Sequence, residues 1–368
     1  MEEEKKLTVE EGKKGKKIKK ILLSVAAVFL AVLLVAVGYV VYVLIAYYRI
    51  GDKNLTIEQK TEASAPVGEE LSFVTFNFGF GAYSRNFSFF MDGGKYSRAY
   101  SAKEVKKNFE GASALIESVS PDILLVQEVD KKATRSHKVD ETALFKQKFP
   151  SYSCVFAVNY DSPYLFYPFH SPHGKSLSGI LTFSKFKITE AKRVSLPIET
   201  SLMKLVDLDR CYSVSRIPTS DGKELVLYNV HLSAYTSDGK IANKQLTLLV
   251  SDMTAEREKG NYVIAGGDFN KDLLGDSSEY FGVSGDKYTW AQPIPEGVIP
   301  EGLTVVAPSN LPTCRNTDKS YVNNPNCFVL TVDGFLVSDN VSVSSVSTLP
   351  MEFDYSDHNP VEMKIVLG

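Results

Sequence analysis

The chain has 368 residues, of which 44% are hydrophobic and 23% charged, an ordinary composition for a globular protein with a sizeable core. The net charge of −3 is unevenly placed, because residues 1–50 are basic and residues 51–368 carry 32 basic against 39 acidic side chains. This acidic balance gives no support to tight, non-specific binding of nucleic acid through a broad basic face, although a local basic groove remains compatible with it.

The beginning of the chain predicts a membrane anchor. Residues 1–20 form a lysine-rich tail, and residues 21–47 are predicted to be a transmembrane helix, because Ile21 to Ala46 is an uncharged run of 26 residues. About 20 apolar residues suffice to cross a bilayer. A cleaved signal peptide is the alternative, but its apolar core is normally about 7–15 residues long and a small-x-small cleavage site is missing. Lysines precede the run, which predicts a cytoplasmic N-terminus, a single span of the cell membrane and an extracytoplasmic domain.

Residues 48–70 are polar and are predicted to be a short tether. Beyond them, residues 71–368 alternate apolar strands with helical stretches. The predicted helices are Ala102–Val119 and Lys240–Lys259, and Asp221-Gly222 predicts a hairpin turn. The predicted strands are Leu71–Asn77, Ile123–Val126, Ser178–Ser184, Tyr212–Arg216, Leu225–Val230, Tyr262–Ala265, Val332–Val337 and Val361–Leu367, with Ser342–Ser347 a strand or a loop. Many strands with two long helices favour an α/β sandwich, in which two packed sheets are covered by helices.

Four cysteines are present, without a CxxC pair and without a Cys/His cluster of zinc spacing. Cys314 and Cys327 lie close together in a segment rich in Asn, Ser and Thr. In an exported domain a disulfide between them would staple this loop, and two free thiols are the alternative.

Polar side chains follow or precede the apolar strands, where a sheet presents them at one rim. They are Asn77, Glu128, His231, Asp268, Asn270, Asp333, Asp357 and His358. Each alone is typical of an ordinary strand end. Together they supply the hard oxygen ligands that Mg²⁺ prefers and the donors and bases that phosphoester hydrolysis needs.

Seven segments in order resemble the signature blocks of the endonuclease/exonuclease/phosphatase superfamily: FVTFNFG, PDILLVQEVD, SGILTFSKF, LYNVHLSAY, VIAGGDFNKD, TVDGFLVSD and YSDHNPV. The resemblance covers about residues 71–367, and GGDFN and SDHNPV are its most specific parts. It implies a four-layered α/β sandwich of two mixed β-sheets flanked by helices. It also implies a Mg²⁺-dependent phosphoesterase, with Mn²⁺ or Ca²⁺ as alternative ions. One departure is Gly334, which stands where the family commonly has an aromatic residue.

The resemblance implies a role for each matched position. Glu128 corresponds to the principal metal ligand, Asn77 to the residue beside the metal, and Asp357 to a carboxylate near a second metal position.

The same resemblance implies the catalytic set. Asp268 corresponds to the residue that orients or deprotonates the attacking water, and Asn270 to a donor to the scissile phosphate. His358 corresponds to the histidine that contacts the phosphate, and Asp333 to the acid that pairs with it. His231 corresponds to a phosphate-side donor or an acid that helps the leaving group, and no covalent intermediate is implied.

Three further residues are predicted to contact substrate: Arg85, His170 and Arg315. His170 and His173 lie in an aromatic-rich insertion, residues 156–175, whose rings would stack bases, enter a lipid headgroup layer or simply pack. A metal site at His170 and His173 is a further alternative. For Arg315 and Arg85 a plain surface arginine is the alternative.

The predicted partners are a phosphoester substrate and the membrane, with no protein partner. Hydrolysis of phosphodiesters comes first, with nucleic acid as the substrate. Cleavage of phospholipid or of phosphomonoesters is the second hypothesis. A catalytically inactive binding module is the third, disfavoured because every expected catalytic position is filled.

Overall fold

The computed structural model describes residues 1–198, 208–234, 240–283, 291–322 and 324–368. The chain forms two compact units, Met1–Tyr48 and Arg49–Gly368. The first unit is helix α1 (Glu2–Ala46), in which Lys13–Ala46 is long and apolar enough to cross a membrane. The predicted apolar run thus lies in one continuous helix.

The second unit is built from short strands and a few helices. The remaining helices are α2 (Ala102–Val119), α3 (Glu141–Lys148), α4 (Lys240–Glu258) and α5 (Ser277–Phe281). The strands are β1 (Lys53–Asn54), β2 (Ile57–Glu58), β3 (Glu70–Asn77), β4 (Ile123–Asp130), β5 (Ser153–Asp161), β6 (Leu177–Ser184), β7 (Glu190–Ser195), β8 (Cys211–Pro218), β9 (Glu224–His231), β10 (Tyr262–Asp268), β11 (Leu303–Val306), β12 (Cys314–Arg315), β13 (Val329–Leu330), β14 (Asp333–Ser338), β15 (Val341–Thr348) and β16 (Val361–Leu367).

These strands form two seven-stranded sheets and one short pair. One sheet has the order β1-β7-β8-β9-β10-β14-β11, and the other has the order β15-β16-β3-β4-β6-β5-β2. The centre of each sheet holds one parallel pair, β9 with β10 and β3 with β4. Because the other described pairings are antiparallel, both sheets are mixed, and the two parallel pairs determine where the polar strand ends meet.

The two sheets pack face to face around an apolar core. Phe73 and Leu125 from one sheet and Leu227, Ile264 and Phe335 from the other are fully buried in it. These positions alternate with residues that point outward, as the two-residue period of a strand requires.

Helices cover the outer face of each sheet. Phe109 of α2 and Phe145 of α3 pack on the sheet that contains β3 and β4. Leu246 and Leu249 of α4 pack on the sheet that contains β9 and β10. The predicted four-layered α/β sandwich is therefore confirmed.

Most long elements lie where the sequence predicts them, and α2 matches residue for residue. Sequence reasoning missed α3, α5, β1, β2, β5, β7, β11, β12 and β13. The predicted insertion at residues 156–175 begins inside β5. The sequence does not reveal this strand, because a strand buried on both faces loses the alternation of polar and apolar residues. The loop proper spans residues 162–176, between β5 and β6.

The prediction of a tether over residues 48–70 is wrong for most of its length. β1 pairs with β7 and β2 pairs with β5, so this segment extends both sheets at their edges. Ala65 is fully buried, and Leu55, Ile57 and Val67 pack against the core. The sequence does not indicate these strands, because a strand of two residues is too short to show a two-residue period.

The cysteines are free thiols, so the disulfide alternative for Cys314 and Cys327 is wrong. Both side chains are buried. Cys314 lies on β12, and its Sγ is 3.6 Å from Nε2 of His358.

Candidate active site

The site is assembled from strand ends of both sheets. Asn77 ends β3, Glu128 lies near the end of β4, and His231 and Asp268 end the parallel strands β9 and β10. Asn77 Nδ2 donates to Asp268 Oδ2 over 3.0 Å and lies 3.4 Å from Glu128 Oε1. Because Asn77 and Asp268 belong to different sheets, this contact ties the sheets together at the site.

The turn after β10 fixes Asp268 through unusual backbone geometry. Gly267 has φ +150°, and a Cβ atom there would lie 2.0 Å from the carbonyl oxygen of Val230. Asn270 adopts φ +49°, its backbone N–H donates to Asp268 Oδ1 over 2.9 Å, and its Nδ2 donates to Leu232 O over 2.7 Å. The GGDFN motif therefore needs its second glycine for a close backbone approach.

His358 and Asp333 form a buried pair. His358 Nδ1 is 2.7 Å from Asp333 Oδ2, and His358 Nε2 is 4.0 Å from Asp268 Oδ2. Burial by itself would lower the pKa of His358, but the Asp333 carboxylate outweighs it and raises that pKa well above its usual range. His358 is therefore a cation at neutral pH, and its Nε2 lies between Cys314 Sγ, at 3.6 Å, and Asp268 Oδ2, at 4.0 Å.

His231 has the opposite electrostatic character. Its Nε2 lies 3.6 Å from Asp268 Oδ2 and 3.8 Å from Glu128 Oε1, and its Nδ1 contacts Asn159 Nδ2 at 3.4 Å. Burial lowers the pKa of His231 well below its usual range, and the positive charges of Arg210, His358 and Arg135 add to this effect. Its imidazole is thus neutral, and the amide donor at Nδ1 places the ring proton on Nε2.

Glu128 sits on a distortion of β4. Its φ is +52°, at a register shift between Val126 and Val129 that turns its side chain out of the regular pattern. The Glu128 side chain remains 22% exposed, whereas that of Asp268, the other acid that contacts Asn77, is 2% exposed.

The family model for the endonuclease/exonuclease/phosphatase family matches residues 74–358. The chain belongs to this family. Family members are phosphoester hydrolases that generally use divalent metal ions, and the chain is accordingly a phosphoesterase. Among curated proteins, none matches the chain.

Solved structures of other proteins share this family fold. An endonuclease/exonuclease/phosphatase from Beutenbergia cavernae has a TM-score of 0.55 and 16% identity, covering 81% of this chain and 72% of its own. ANGEL2, a 2′,3′-cyclic phosphatase, has a TM-score of 0.52 and 16% identity, and the match covers 85% of this chain and 98% of ANGEL2. D. rerio TDP2, complexed with a single-strand DNA product, has a TM-score of 0.51 and 16% identity, and the match covers 81% of this chain and 99% of TDP2. At these identities the likeness concerns the fold.

The donor set of this family member fits a divalent metal ion. Asp268, Asp333 and His358 each place one potential ligand atom within 4.8 Å of the others, but His358 and Asp333 already bond each other. Mg²⁺ prefers oxygen ligands and keeps several waters, so the partly exposed Glu128, beside the amide of Asn77, fits it better.

Two further carboxyl groups of the site have raised pKa values. Burial raises the pKa of Asp357 to about 6, and nearby Glu128 adds to the effect. Burial raises the pKa of Asp268 to about 7, with Asp333 adding to the effect and His358 opposing it. A bound cation would offset these costs, which supports the fit.

Asp357 is held by the loop before β16. Ser356 Oγ donates to the carbonyl of Asn77 over 2.8 Å and lies 3.3 Å from Asp357 Oδ1. A Cβ at Gly79 would lie 3.0 Å from Asp357 Oδ1, so a glycine there leaves room for this carboxylate.

The predicted substrate contacts are not all near this centre. Arg315 is fully buried and donates to the carbonyls of Tyr83 and Ser84 over 3.2 and 3.1 Å. Its side chain braces the loop after β3 and its backbone N–H donates to Asp357 O over 3.0 Å, so the surface-arginine alternative is wrong, and contact with substrate stays a prediction. Arg85 is half-buried, and its Nη1 is 3.5 Å from Asp354. His170 is exposed on the loop after β5.

His173 is separate from His170. It is buried, and its Nδ1 lies 3.0 Å from the carbonyl of Ser97, so a metal site at the two histidines finds no support.

Two site residues escaped sequence reasoning. Asn159 contacts His231 from the part of β5 that lies inside the predicted insertion. Arg135 is buried, bonds both Asp130 oxygens over 2.9 and 3.1 Å, and lies 4.0 Å from Glu128 Oε2. Only the structure shows that Arg135 lies behind the Glu128 carboxylate, because a single arginine in a polar loop does not indicate a functional site in the sequence.

Proposed function

We propose that the chain is a Mg²⁺-dependent phosphodiesterase that acts outside the cytoplasm by in-line attack of water on phosphorus. The observation that carries this proposal is the position of the Asp268 carboxylate. It lies between neutral His231, at 3.6 Å, and charged His358, at 4.0 Å, and Asn77 holds it. A base flanked by two donors suits attack on a phosphoryl group.

Asp268 is the general base. A pKa raised to about 7 by burial makes its carboxylate basic enough to take a proton from water near neutral pH. Oδ1 accepts the N–H of Asn270, and Oδ2 accepts the amide of Asn77 on the side that faces both histidines.

The two histidines stabilise the transition state as donors. Charged His358 offers Nε2–H to a phosphoryl oxygen, while Asp333 holds Nδ1 and keeps the ring charged. Neutral His231 offers Nε2–H, because Asn159 occupies Nδ1. It therefore acts as a hydrogen-bond donor to the phosphate or the leaving oxygen.

Glu128, Asn77 and Asp357 are the residues that would hold the cation. When bound, the ion supplies Lewis-acid stabilisation of charge on the phosphoryl oxygens. Arg135 keeps the Glu128 carboxylate in place from behind, 4.0 Å from Oε2.

The extracytoplasmic location rests on the sequence alone. The helix Lys13–Ala46 is apolar enough to span a membrane, and the lysines before the apolar run predict a cytoplasmic N-terminus.

The test uses the full chain in nanodiscs with bis(p-nitrophenyl) phosphate, with Mg²⁺ or with chelator. We expect metal-dependent turnover that Glu128→Ala and His358→Ala each reduce by about 10²-fold or more. Glu301→Ala and His137→Ala are matched controls on exposed positions and should turn over normally. Metal-independent turnover, or full activity in both site variants, would refute the proposal.

A further inference from the structure

The loop between β5 and β6, residues 162–176, carries unusually exposed aromatic side chains. Phe166 is 49%, Tyr167 65% and Phe169 83% exposed. Exposed apolar side chains concentrated in one place usually mark an interaction surface. We call Phe166, Tyr167 and Phe169 the aromatic tip.

The base of this loop is firmly held. Leu165 and Gly174 exchange backbone hydrogen bonds of 3.1 and 3.0 Å, and Ser162 N–H donates to Ser176 O over 2.9 Å. His173 is buried against the carbonyl of Ser97. The aromatic tip therefore projects from a fixed base.

Exposed lysines accompany the loop. Lys131, Lys132 and Lys138 follow β4, and Lys175 lies in the loop itself, so these four form what we call the lysine cluster. Backbone bonds from Lys131 to Leu177, of 2.7 Å, and from Thr134 to Lys175, of 2.8 Å, join the two segments. A concentration of lysine on an otherwise acidic domain is complementary to an anionic surface.

Both features lie at the active-site end of the sandwich. Asn159, two residues before the end of β5, contacts His231, and Lys131 follows Glu128 by three residues. The loop therefore leaves its sheet at the rim that carries the catalytic residues.

The domain also begins at this rim. Arg193 donates to the carbonyl of Val158 over 2.7 Å and to that of Ile50 over 2.8 Å, and Arg49 donates to Leu196 O over 2.7 Å. The first residues of the domain are therefore held beside the end of β5 that carries Asn159.

We propose that the aromatic tip and the lysine cluster dock the rim on an anionic lipid bilayer, and that the substrate is a phosphodiester in a phospholipid headgroup. Aromatic rings suit the interfacial layer, and lysines suit anionic headgroups. This inference rests on the proposed phosphodiesterase function. It selects lipid over nucleic acid, which aromatic side chains also bind by stacking.

The first experiment measures docking without reference to catalysis. The full chain is placed in nanodiscs of phosphatidylcholine with about 30% phosphatidylserine, to supply the anionic surface. Tryptophan is introduced by Phe169→Trp, or by Leu248→Trp on the exposed face of α4 as control, and Trp290 of the unmodified chain gives the background. Brominated phosphatidylcholine should quench the tryptophan fluorescence of the Phe169→Trp variant and leave that of the Leu248→Trp variant at the background level. Equal quenching of both, or of neither, would overturn the docking surface.

The second experiment measures substrate class. Headgroup release from sphingomyelin and phosphatidylcholine in the same nanodiscs is compared with turnover of bis(p-nitrophenyl) phosphate. We expect the double change Phe166→Ser and Phe169→Ser to lower the ratio of lipid to soluble-diester turnover about ten-fold, and Leu248→Ser to leave it unchanged. Cleavage of single-stranded DNA with no lipid turnover would overturn the inference. Quenching without hydrolysis of any diester would sustain the docking surface and refute the phosphodiesterase.

Discussion

Asn77 Nδ2 donates to Asp268 Oδ2 over 3.0 Å, across the boundary between the two sheets. Asn77 Oδ1 in turn accepts the N–H of Gly79 over 3.0 Å, which fixes the amide orientation. One asparagine thereby sets the rotamer of the proposed base and stands beside the proposed metal ligand Glu128.

Replacing Asn77 with Ala should therefore impair catalysis more than folding. We expect kcat/KM to fall about 10²–10³-fold, because the base loses its orienting donor. The measurement is steady-state turnover of a soluble phosphodiester with Mg²⁺, alongside thermal unfolding. Asn310→Ala is the matched control, since Asn310 bonds Thr348 on an edge strand. Equal activity in the two variants would remove Asn77 from the site.

Asp333→Asn should shift the alkaline limb of the pH–rate profile. The Asp333 carboxylate holds the pKa of His358 well above its usual range, so the native enzyme keeps its charged donor into alkaline pH. Without that carboxylate the pKa falls, and activity should be lost at lower pH, with kcat reduced about 10²-fold or more. The profile is recorded with Asp339→Asn as control, an exposed acid paired with Arg257. An unmoved alkaline limb would contradict the role given to the pair.

Metal binding should release protons. The pKa values of Asp268, at about 7, and Asp357, at about 6, mean that both carboxyls are partly protonated near pH 6.5 before the cation binds. A cation favours the ionised forms, so protons leave, and affinity should weaken as pH falls through this range. Titration calorimetry near pH 6.5 in two buffers of different ionisation enthalpy measures the release. Identical heats in both buffers would mean that no proton is displaced.

Gly267→Ala should be strongly destabilising. Its φ of +150° suits glycine, and the new methyl group would lie 2.0 Å from Val230 O. We expect a loss of more than about 3 kcal/mol in the free energy of unfolding. Gly222→Ala is the comparison, because it also has a positive φ, +86°, but meets nothing within 4 Å and should cost only about 1 kcal/mol. Similar melting temperatures for the two variants would contradict the close approach.

The Glu256–Arg216 pair should contribute pH-dependent stability. Burial opposes ionisation of Glu256, but Arg216, Lys259 and Asn261 outweigh it and lower its pKa to about 2. An acid whose pKa is lowered on folding stabilises the native state above its unfolded pKa of about 4.5, and this contribution is lost as pH falls through about 2. Glu256→Gln should thus melt lower than the native chain at neutral pH and converge with it in acid. A constant gap from pH 7 to pH 2 would contradict this account.

The sequence by itself predicted the elements whose apolar period is unambiguous. The helical period along the 18 residues of α2 and the apolar blocks of β3, β4, β9 and β10 need no tertiary information, since each buries its apolar side chains whatever its partners are. Because polar residues directly follow those strands, the sequence also indicated which side chains would gather at one rim, and the structure brings Asn77, Glu128, His231, Asp268 and His358 together there.

Tertiary structure decided what those residues touch. Arg85 and Arg315 look alike in the sequence, yet Arg315 is buried among backbone carbonyls and Arg85 lies half-buried beside Asp354. Asn159 and the edge strands at residues 53–58 gain their roles only from partners more than 60 residues away in the chain. Local sequence encodes period and polarity, whereas burial, hydrogen-bond partners and pKa depend on which distant segments pack together.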